Sequence, residues 1–154
     1  MIPAHLLSII KAYDVRGTVP DQLDGAFAEA LGASFVQVIG ADAVVVGRDM
    51  RESGPGLVDA FARGAMSQGA DVLNMGLAST DALYFASGHL GVPGAMVTAS
   101  HNPAKYNGFK LCKAFAAPVG QDTGLAQIRS LMESGVAPHR GGSGSTRQVD
   151  LMSD

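Results

Sequence analysis

Ser100, His101 and Asn102 are the residues whose types and position point most directly to chemistry. They follow the apolar run 95–97, which has the composition of a buried strand, and a proline comes directly after them. Because proline cannot donate a hydrogen bond to a sheet and fixes its own φ angle, the strand is predicted to end here. Since α/β proteins bind ligands at the carboxyl ends of their strands, the stretch 98–110 is a candidate functional loop.

The surroundings of Ser100 favour a serine that carries negative charge over a hydrolase nucleophile. A hydrolase serine needs a base within hydrogen-bond reach, but His101 is its direct neighbour, and successive side chains of an extended chain point to opposite sides. No Gly-x-Ser-x-Gly elbow surrounds it either. Lys105 and Lys110 are close in sequence, and such cations would stabilise the dianion of a phosphoserine. A hydroxyl that only caps a turn is the simpler alternative and stays open.

Lys110 is the second candidate because of its place in an alternating pattern. Phe109 and Leu111 share one face of the predicted strand, and Lys110 occupies the other face. In a sheet with helices on both sides, an ammonium group is costly unless it lies at the end of the sheet with a partner. A lysine in such a place can serve as a general base. A lysine that extends its ammonium into solvent is the alternative.

Three arginines, Arg16, Arg48 and Arg51, each follow a predicted strand. Arginine can bind a phosphate through two parallel hydrogen bonds, so these residues are candidates for a phosphate site. Local surface pairs, Arg48 with Asp49 and Arg51 with Glu52, are the alternative. We favour the surface pair for Arg51.

The composition excludes several kinds of partner. The net charge is −3 and no Lys/Arg run occurs, so nucleic-acid binding has no electrostatic support. Cys112 is the only cysteine, which excludes an intramolecular disulfide and a site built from several thiolates, and fits a reducing cytoplasm. No run approaches the roughly 20 apolar residues that a membrane span needs. We therefore expect a cytoplasmic protein with neither nucleic acid nor membrane as a partner.

The hydrophobic pattern alternates between the periods of strands and helices. A helix is predicted over 22–40 with Asp21 as its cap, a second from Ser53 to Gly69, a third from Ser79 or Thr80 to 90, and a fourth over 120–135. Strands are predicted within 6–19 and over 43–47, 70–76, 92–98 and 106–113.

This alternation predicts a three-layer α/β/α fold with a mixed, mostly parallel sheet. The connection 103–106 is too short for a crossover helix, which needs about 10–12 residues. The last strand, 106–113, should therefore pair antiparallel to the strand at 93–98. Residues 1–135 are predicted to form one domain. Residues 136–146 are rich in Gly and Ser, so 136–154 is predicted to be a linker and the start of a truncated second domain.

Several segments together resemble the α-D-phosphohexomutases, the phosphomannomutases and phosphoglucomutases. Thr98–Pro103 with Tyr106–Lys110 is similar to the serine loop of that family, and this motif is highly specific. Tyr13–Gly17 resembles the N-terminal motif of the family, and Val46–Arg51 resembles its second strand end. The likeness covers essentially the whole chain but only the first of the family's four domains.

The resemblance implies a hexose-phosphate mutase that works through a phosphoserine and a hexose 1,6-bisphosphate intermediate. It implies that Ser100 carries the phosphoryl group, with one phosphate oxygen on Mg²⁺, and that Lys110 and His101 act as acid/base or charge-stabilising groups. The remaining residues expected to support the substrate and the site are Tyr13, Arg16, Asn102 and Arg48.

The same resemblance implies that this chain holds only part of an active site. The family's Asp-Gly-Asp-x-Asp metal loop and its sugar-binding loops lie in later domains, and no Asp-Gly-Asp occurs here. We therefore expect hexose phosphates and the remaining domains of the same enzyme as partners, and an isolated domain without activity. A stand-alone phosphate-binding or scaffold domain without catalysis is the alternative.

Overall fold

The computed structural model describes residues 1–137, 139 and 141–149. The strands are Val15–Thr18 (β1), Ala43–Arg48 (β2), Asp71–Leu77 (β3), Gly94–Val97 (β4), Tyr106–Lys113 (β5), Ala117–Pro118 (β6) and Thr146–Gln148 (β7). The α-helices are Gly25–Ile39 (α1), Gly54–Ser67 (α2), Thr80–Leu90 (α3) and Leu125–Ser134 (α4). Short 3₁₀ turns cover Ala4–Ile9, Ala114–Ala116 and Gln121–Thr123.

The strands form one mixed sheet in the order β1-β5-β4-β2-β3-β7, with β6 paired to β5. β2 pairs in parallel with both β3 and β4, and β7 pairs in parallel with β3. β5 runs antiparallel to β4 on one side and to β1 on the other. The antiparallel pairing predicted from the short connection is therefore confirmed, as is the mixed, mostly parallel sheet.

Helices cover both faces of the sheet, which confirms the three-layer α/β/α fold. The larger core lies between one face and helices α1, α2 and α4, and its aromatic centre joins Phe35, Phe61 and Phe109. The ring centroids of Phe35 and Phe61 are 6.1 Å apart, and those of Phe61 and Phe109 are 5.3 Å apart. A smaller core on the other face packs α3 residues such as Leu83 against Met96. Among the described residues, α3 packs on β2, β4 and β5 of this second face, and the β1 end of that face is less covered.

Two helices begin later than the sequence pattern predicts. α1 begins at Gly25, and its cap is Asp24, whose carboxylate accepts a hydrogen bond of 2.8 Å from the Phe27 amide. Asp21 is not the cap, because Gln22 still belongs to a turn that hydrogen-bonds back to Thr18. α4 begins at Leu125 rather than at 120, since a 3₁₀ turn precedes it.

The segment after α4 contains a strand that the sequence did not predict. Thr146–Gln148 pairs in parallel with β3, with Thr146 opposite Val72. Its composition gives no strand signal, because it is polar and exposed at the edge of the sheet. Residues 138, 140 and 150–154 of the predicted linker and second-domain segment lie outside the described residues. The division at residue 135 stays a prediction.

The helices are short, and α1, with 15 residues, is the longest in the described part of the chain. Among the described residues, none of the helices combines the length and the apolar character that crossing a bilayer requires.

Candidate active site

The loop between β4 and β5 holds Ser100 in an unusual backbone conformation. Ser100 is exposed and has a φ of +54°, in the left-handed region that few residues with a side chain adopt. Its amide donates a 3.0 Å hydrogen bond to Thr98 Oγ1, and the Thr98 hydroxyl donates a 2.7 Å bond to Asp49 Oδ2. The conformation of Ser100 is thus tied to a carboxylate at the end of β2.

The guanidinium group of Arg51 donates hydrogen bonds to the backbone of the same loop. Nη2 donates to the carbonyl oxygens of Ser100 and Asn102, both at 2.9 Å. Nη1 donates to the carbonyl oxygens of Pro103 at 2.8 Å and Tyr106 at 3.1 Å. Nε donates to Asp49 Oδ2 at 3.3 Å. All five N–H groups of the guanidinium are therefore used.

The surface pair favoured for Arg51 is wrong. Its side chain is only 12% exposed, and it contacts Asp49 and the distant loop. The role of Arg51 was missed because its partners are backbone carbonyl groups. Carbonyl groups in a tight loop need hydrogen-bond donors from other parts of the chain, and the sequence does not show which donor lies near them. The sequence signal that could have revealed this role is the Asp-x-Arg pattern of Asp49 and Arg51, directly after β2, the strand that pairs with β4.

This loop forms part of the wall of a hollow of about 740 Å³. Ser100 and Asn102 line it together with Asp49, Arg51 and Glu52. Asn102 is held in place by its own side chain, whose Nδ2 donates to the Ala99 carbonyl at 2.8 Å. The structure therefore brings together two predicted site residues, Ser100 and Asn102, on the wall of one cavity.

A second hollow, of about 570 Å³, contains the other predicted group: Tyr13, Arg16 and Lys110. Arg16 lies opposite Gly108, so Arg16 and Lys110 project from the same face of neighbouring strands. This is the face that α3 leaves partly uncovered. Lys11, which sequence reasoning did not single out, adds a third cation to this hollow. Asp14 lines it too, so three cationic groups stand against one carboxylate, and this net positive surface suits an anionic ligand.

Tyr84, on α3, forms part of the wall of this second hollow. Burial raises the pKa of its phenol, and the nearby Cys112 and Asp81 raise it further. Burial likewise raises the pKa of the Cys112 thiol, against the lowering effect of hydrogen bonds with Ser87 and the Gly94 backbone. Both groups stay protonated near neutral pH, so Tyr84 can donate a hydrogen bond there but is no base.

The two predicted catalytic residues Ser100 and Lys110 line separate hollows. Met96 lies opposite Lys110, and four residues from Met96 to Ser100 span at most roughly 13 Å at about 3.3 Å per residue.

His101 is exposed at the tip of the loop. Arg48 directs Nη1 to the carbonyl oxygen of Asp49 at 3.2 Å. The catalytic and supporting roles of these residues stay predictions.

Asn107 and Gly108, a turn signal in the sequence, have structural roles inside β5. Asn107 is buried, and its Nδ2 donates to Ser53 Oγ at 2.8 Å, which ties β5 to the start of α2. Ser53 precedes α2 as predicted, but its side chain makes no capping hydrogen bond. A side chain at Gly108 would collide with the Val15 carbonyl, so the glycine here allows β1 to lie close to β5.

The described residues contain no group of three or more His, Cys, Asp or Glu side chains able to hold a metal ion. Asp49, the carboxylate behind Ser100, is already engaged by Arg51 and Thr98. The described side chains alone therefore do not fit a magnesium site.

Fold and site together define an α/β/α domain that presents a serine loop at the carboxyl edge of its sheet. Residues 8–138 match the family model described as phosphoglucomutase/phosphomannomutase, alpha/beta/alpha domain I. The chain therefore belongs to the phosphoglucomutase/phosphomannomutase family and corresponds to its domain I.

Known relatives agree with this assignment. A phosphomannomutase of Klebsiella pneumoniae is 41% identical over 153 residues, which are 96% of this chain and 96% of the relative. A phosphomannomutase of Escherichia coli is 41% identical over 153 residues, but the chain spans only 33% of its length. The crystal structure of a phosphoglucomutase/phosphomannomutase family protein from Burkholderia thailandensis matches with a TM-score of 0.82 at 38% identity. That match covers 98% of this chain and 34% of the Burkholderia chain.

Proposed function

We propose that Ser100 carries the phosphoryl group of a hexose-phosphate mutase, which interconverts hexose 1-phosphate and hexose 6-phosphate. The observation that carries the proposal is the loop itself. Ser100 is exposed at a hollow, while its carbonyl accepts a hydrogen bond from Arg51, after β2, and its amide donates to Thr98, whose hydroxyl is bonded to Asp49. A hydroxyl that only capped a turn would not need such fixing. Membership in a family of hexose-phosphate mutases supplies the class of reaction.

The proposed reaction exchanges one ester bond for another. The bond between phosphorus and Ser100 Oγ breaks while the free hydroxyl oxygen of the sugar forms a bond to the same phosphorus. The hydroxyl proton passes to a base, and Ser100 Oγ receives a proton. The hexose 1,6-bisphosphate then reorients and returns its other phosphoryl group to Ser100 by the reverse steps. Such transfers depend mostly on positioning and on neutralising charge.

Lys110 and His101 are the proposed acid/base or charge-stabilising groups. His101 is adjacent to the serine, whereas Lys110 lies in the cationic second hollow with Arg16 and Tyr13. A sugar that carries a phosphate at each end could place one group at the serine loop and the other toward this hollow. In the proposal, Arg16 and Tyr13 therefore support the substrate.

Asn102 and Arg48 are proposed to support the serine side of the site. Asn102 lines the same hollow as Ser100, and Arg48 braces the backbone beside Asp49. Mg²⁺, when bound, would neutralise charge on the transferring phosphoryl group. A phosphate oxygen on Ser100 is the one ligand that this chain is proposed to provide.

We also propose, from the resemblance, that residues 1–135 act as one domain of a longer enzyme and that 136–154 lead into the next. The remaining domains would complete the metal and sugar sites, so the isolated domain is expected to be inactive. A cytoplasmic location is part of this proposal and agrees with a single, buried cysteine, Cys112.

A phosphate-binding domain without catalysis is the second candidate function. The observation in its favour is that Ser100 and Lys110 line different hollows. Such a domain would hold an anion beside the loop, but Ser100 would never become esterified.

Substituting Ser100 by alanine in the full-length protein tests the proposal. We expect mutase turnover to fall by about 10³-fold or more, because the variant lacks the atom that accepts the phosphoryl group. Incubation with hexose 1,6-bisphosphate should add one phosphoryl mass to the unsubstituted protein and none to the variant. Ser130→Ala, which removes an exposed serine of α4, is the matched control. Substantial activity in Ser100→Ala would remove Ser100 from the carrier role.

A further inference from the structure

We propose that Arg51 is a positioning residue that fixes Ser100 for phosphoryl transfer and binds no substrate phosphate itself. The inference rests on the proposed role of Ser100 and adds to it the group that holds the reactive serine in place. Arg51, Asp49 and Thr98 form one hydrogen-bonded unit, which we call the loop anchor.

Arg51 is matched to the loop by geometry as well as charge. Its planar fork binds the carbonyl oxygens of residues 100, 102, 103 and 106 at 2.8–3.1 Å. These four bonds span the whole turn between β4 and β5. A lysine at the same place has three donors on a flexible stem and cannot reproduce the fork.

The other half of the loop anchor controls the amide of Ser100. Asp49 accepts hydrogen bonds from Arg51 Nε and from the Thr98 hydroxyl, and Thr98 Oγ1 in turn accepts one from the Ser100 amide. Both sides of the Ser100 backbone are therefore held from the end of β2. A residue at φ +54° persists only where its surroundings enforce that conformation, and the loop anchor is the group that does so.

The hydrogen bonds of the Arg51 guanidinium indicate that this residue positions the loop and does not bind phosphate. All five guanidinium N–H groups already have protein acceptors, so none is left for a phosphate oxygen. Loss of Arg51 should therefore disturb the chemical step rather than substrate affinity.

The test combines hydrogen exchange with kinetics in the full-length protein carrying Arg51→Lys. We expect amides of residues 99–106 to exchange about ten-fold faster, because the charge remains but the fork is lost. We expect kcat to fall by about ten-fold or more while KM stays within about two-fold, because a misplaced reacting group lowers the rate of chemistry. Arg63→Lys, at an exposed arginine of α2, should leave both quantities unchanged.

A second pair of variants guards against a simple folding defect. Thr98→Val removes the hydroxyl at similar size and should loosen the loop, whereas Thr98→Ser keeps the hydroxyl and should restore slow exchange. Unchanged exchange in both Arg51→Lys and Thr98→Val would overturn the proposal. A raised KM with unchanged kcat in Arg51→Lys would also overturn it, since that result means substrate binding. Faster exchange in Arg51→Lys beside an active Ser100→Ala would leave the loop anchor standing and refute the carrier role of Ser100.

Discussion

Ser100 owes its conformation to residues about fifty positions earlier in the chain. Its own neighbours provide the hydroxyl and the turn, but Arg51 and Asp49 supply the donors and the acceptor that fix it. The reactive hydroxyl follows β4, whereas Asp49 and Arg51, which hold it in place, follow β2. These two supporting residues are more buried than Ser100. Tyr84 shows the same dependence on surroundings, because burial raises the pKa of its phenol.

Tyr84 gives a prediction for stability at alkaline pH. A phenol whose pKa is raised by folding contributes its full stability below the ordinary tyrosine pKa, about 10. That contribution is lost as the pH rises through the higher folded value. We therefore expect Tyr84→Phe to flatten the alkaline fall of Tm relative to the unsubstituted protein, measured by thermal unfolding between about pH 8 and pH 11. Tyr13→Phe, which removes a phenol that is 79% exposed, is the control. Parallel curves for Tyr84→Phe and the unsubstituted protein would contradict this account.

Among the elements, α2 lies next in the chain to the residues that hold the serine loop, and α2 packs in turn on α1. α2 begins just after Arg51, and Ser53 at its start is bonded to Asn107 of β5. The two helices cross closely because a glycine of each helix lies against the backbone of the other. A side chain at Gly32 would collide with the Phe61 carbonyl, and one at Gly64 would collide with the Glu29 carbonyl. The packing of α2, the helix that follows Arg51, therefore depends on a crossing that admits no added carbon.

Alanine at Gly64 should destabilise the domain by about 1–3 kcal/mol, because backbone atoms must move apart to accept the methyl group. Gly56 lies in the same helix with no atom within 4 Å of an added side chain. Gly56→Ala should therefore stabilise the protein by up to about 1 kcal/mol through helix propensity alone. Chemical denaturation of both variants measures the two free energies of unfolding. Equal changes in the free energy of unfolding at the two glycines would show that helix propensity, and not the close helix crossing, determines the effect of the added methyl group.

For the whole molecule, the order of strands and helices could be predicted because hydrophobic period and turn length report it directly. The antiparallel β5 followed from a connection too short for a helix. β7 could not be predicted, since three polar residues at a sheet edge have no hydrophobic pattern. Arg51 was misassigned for a related reason: its partners are carbonyl groups, which carry no side-chain signature. The separation of Ser100 from Lys110 depends on three-dimensional distance, which residue types do not encode.

The central claim is that Ser100 carries the phosphoryl group during turnover, and a pulse-chase experiment tests it most directly. The full-length protein is labelled with hexose 1,6-bisphosphate bearing radioactive phosphate, digested and mapped, then chased with unlabelled hexose monophosphate. The account predicts that the label lies on the peptide containing Ser100 and passes to the sugar at least as fast as the enzyme turns over. Label on another residue, or label on Ser100 that leaves more slowly than turnover, would contradict it.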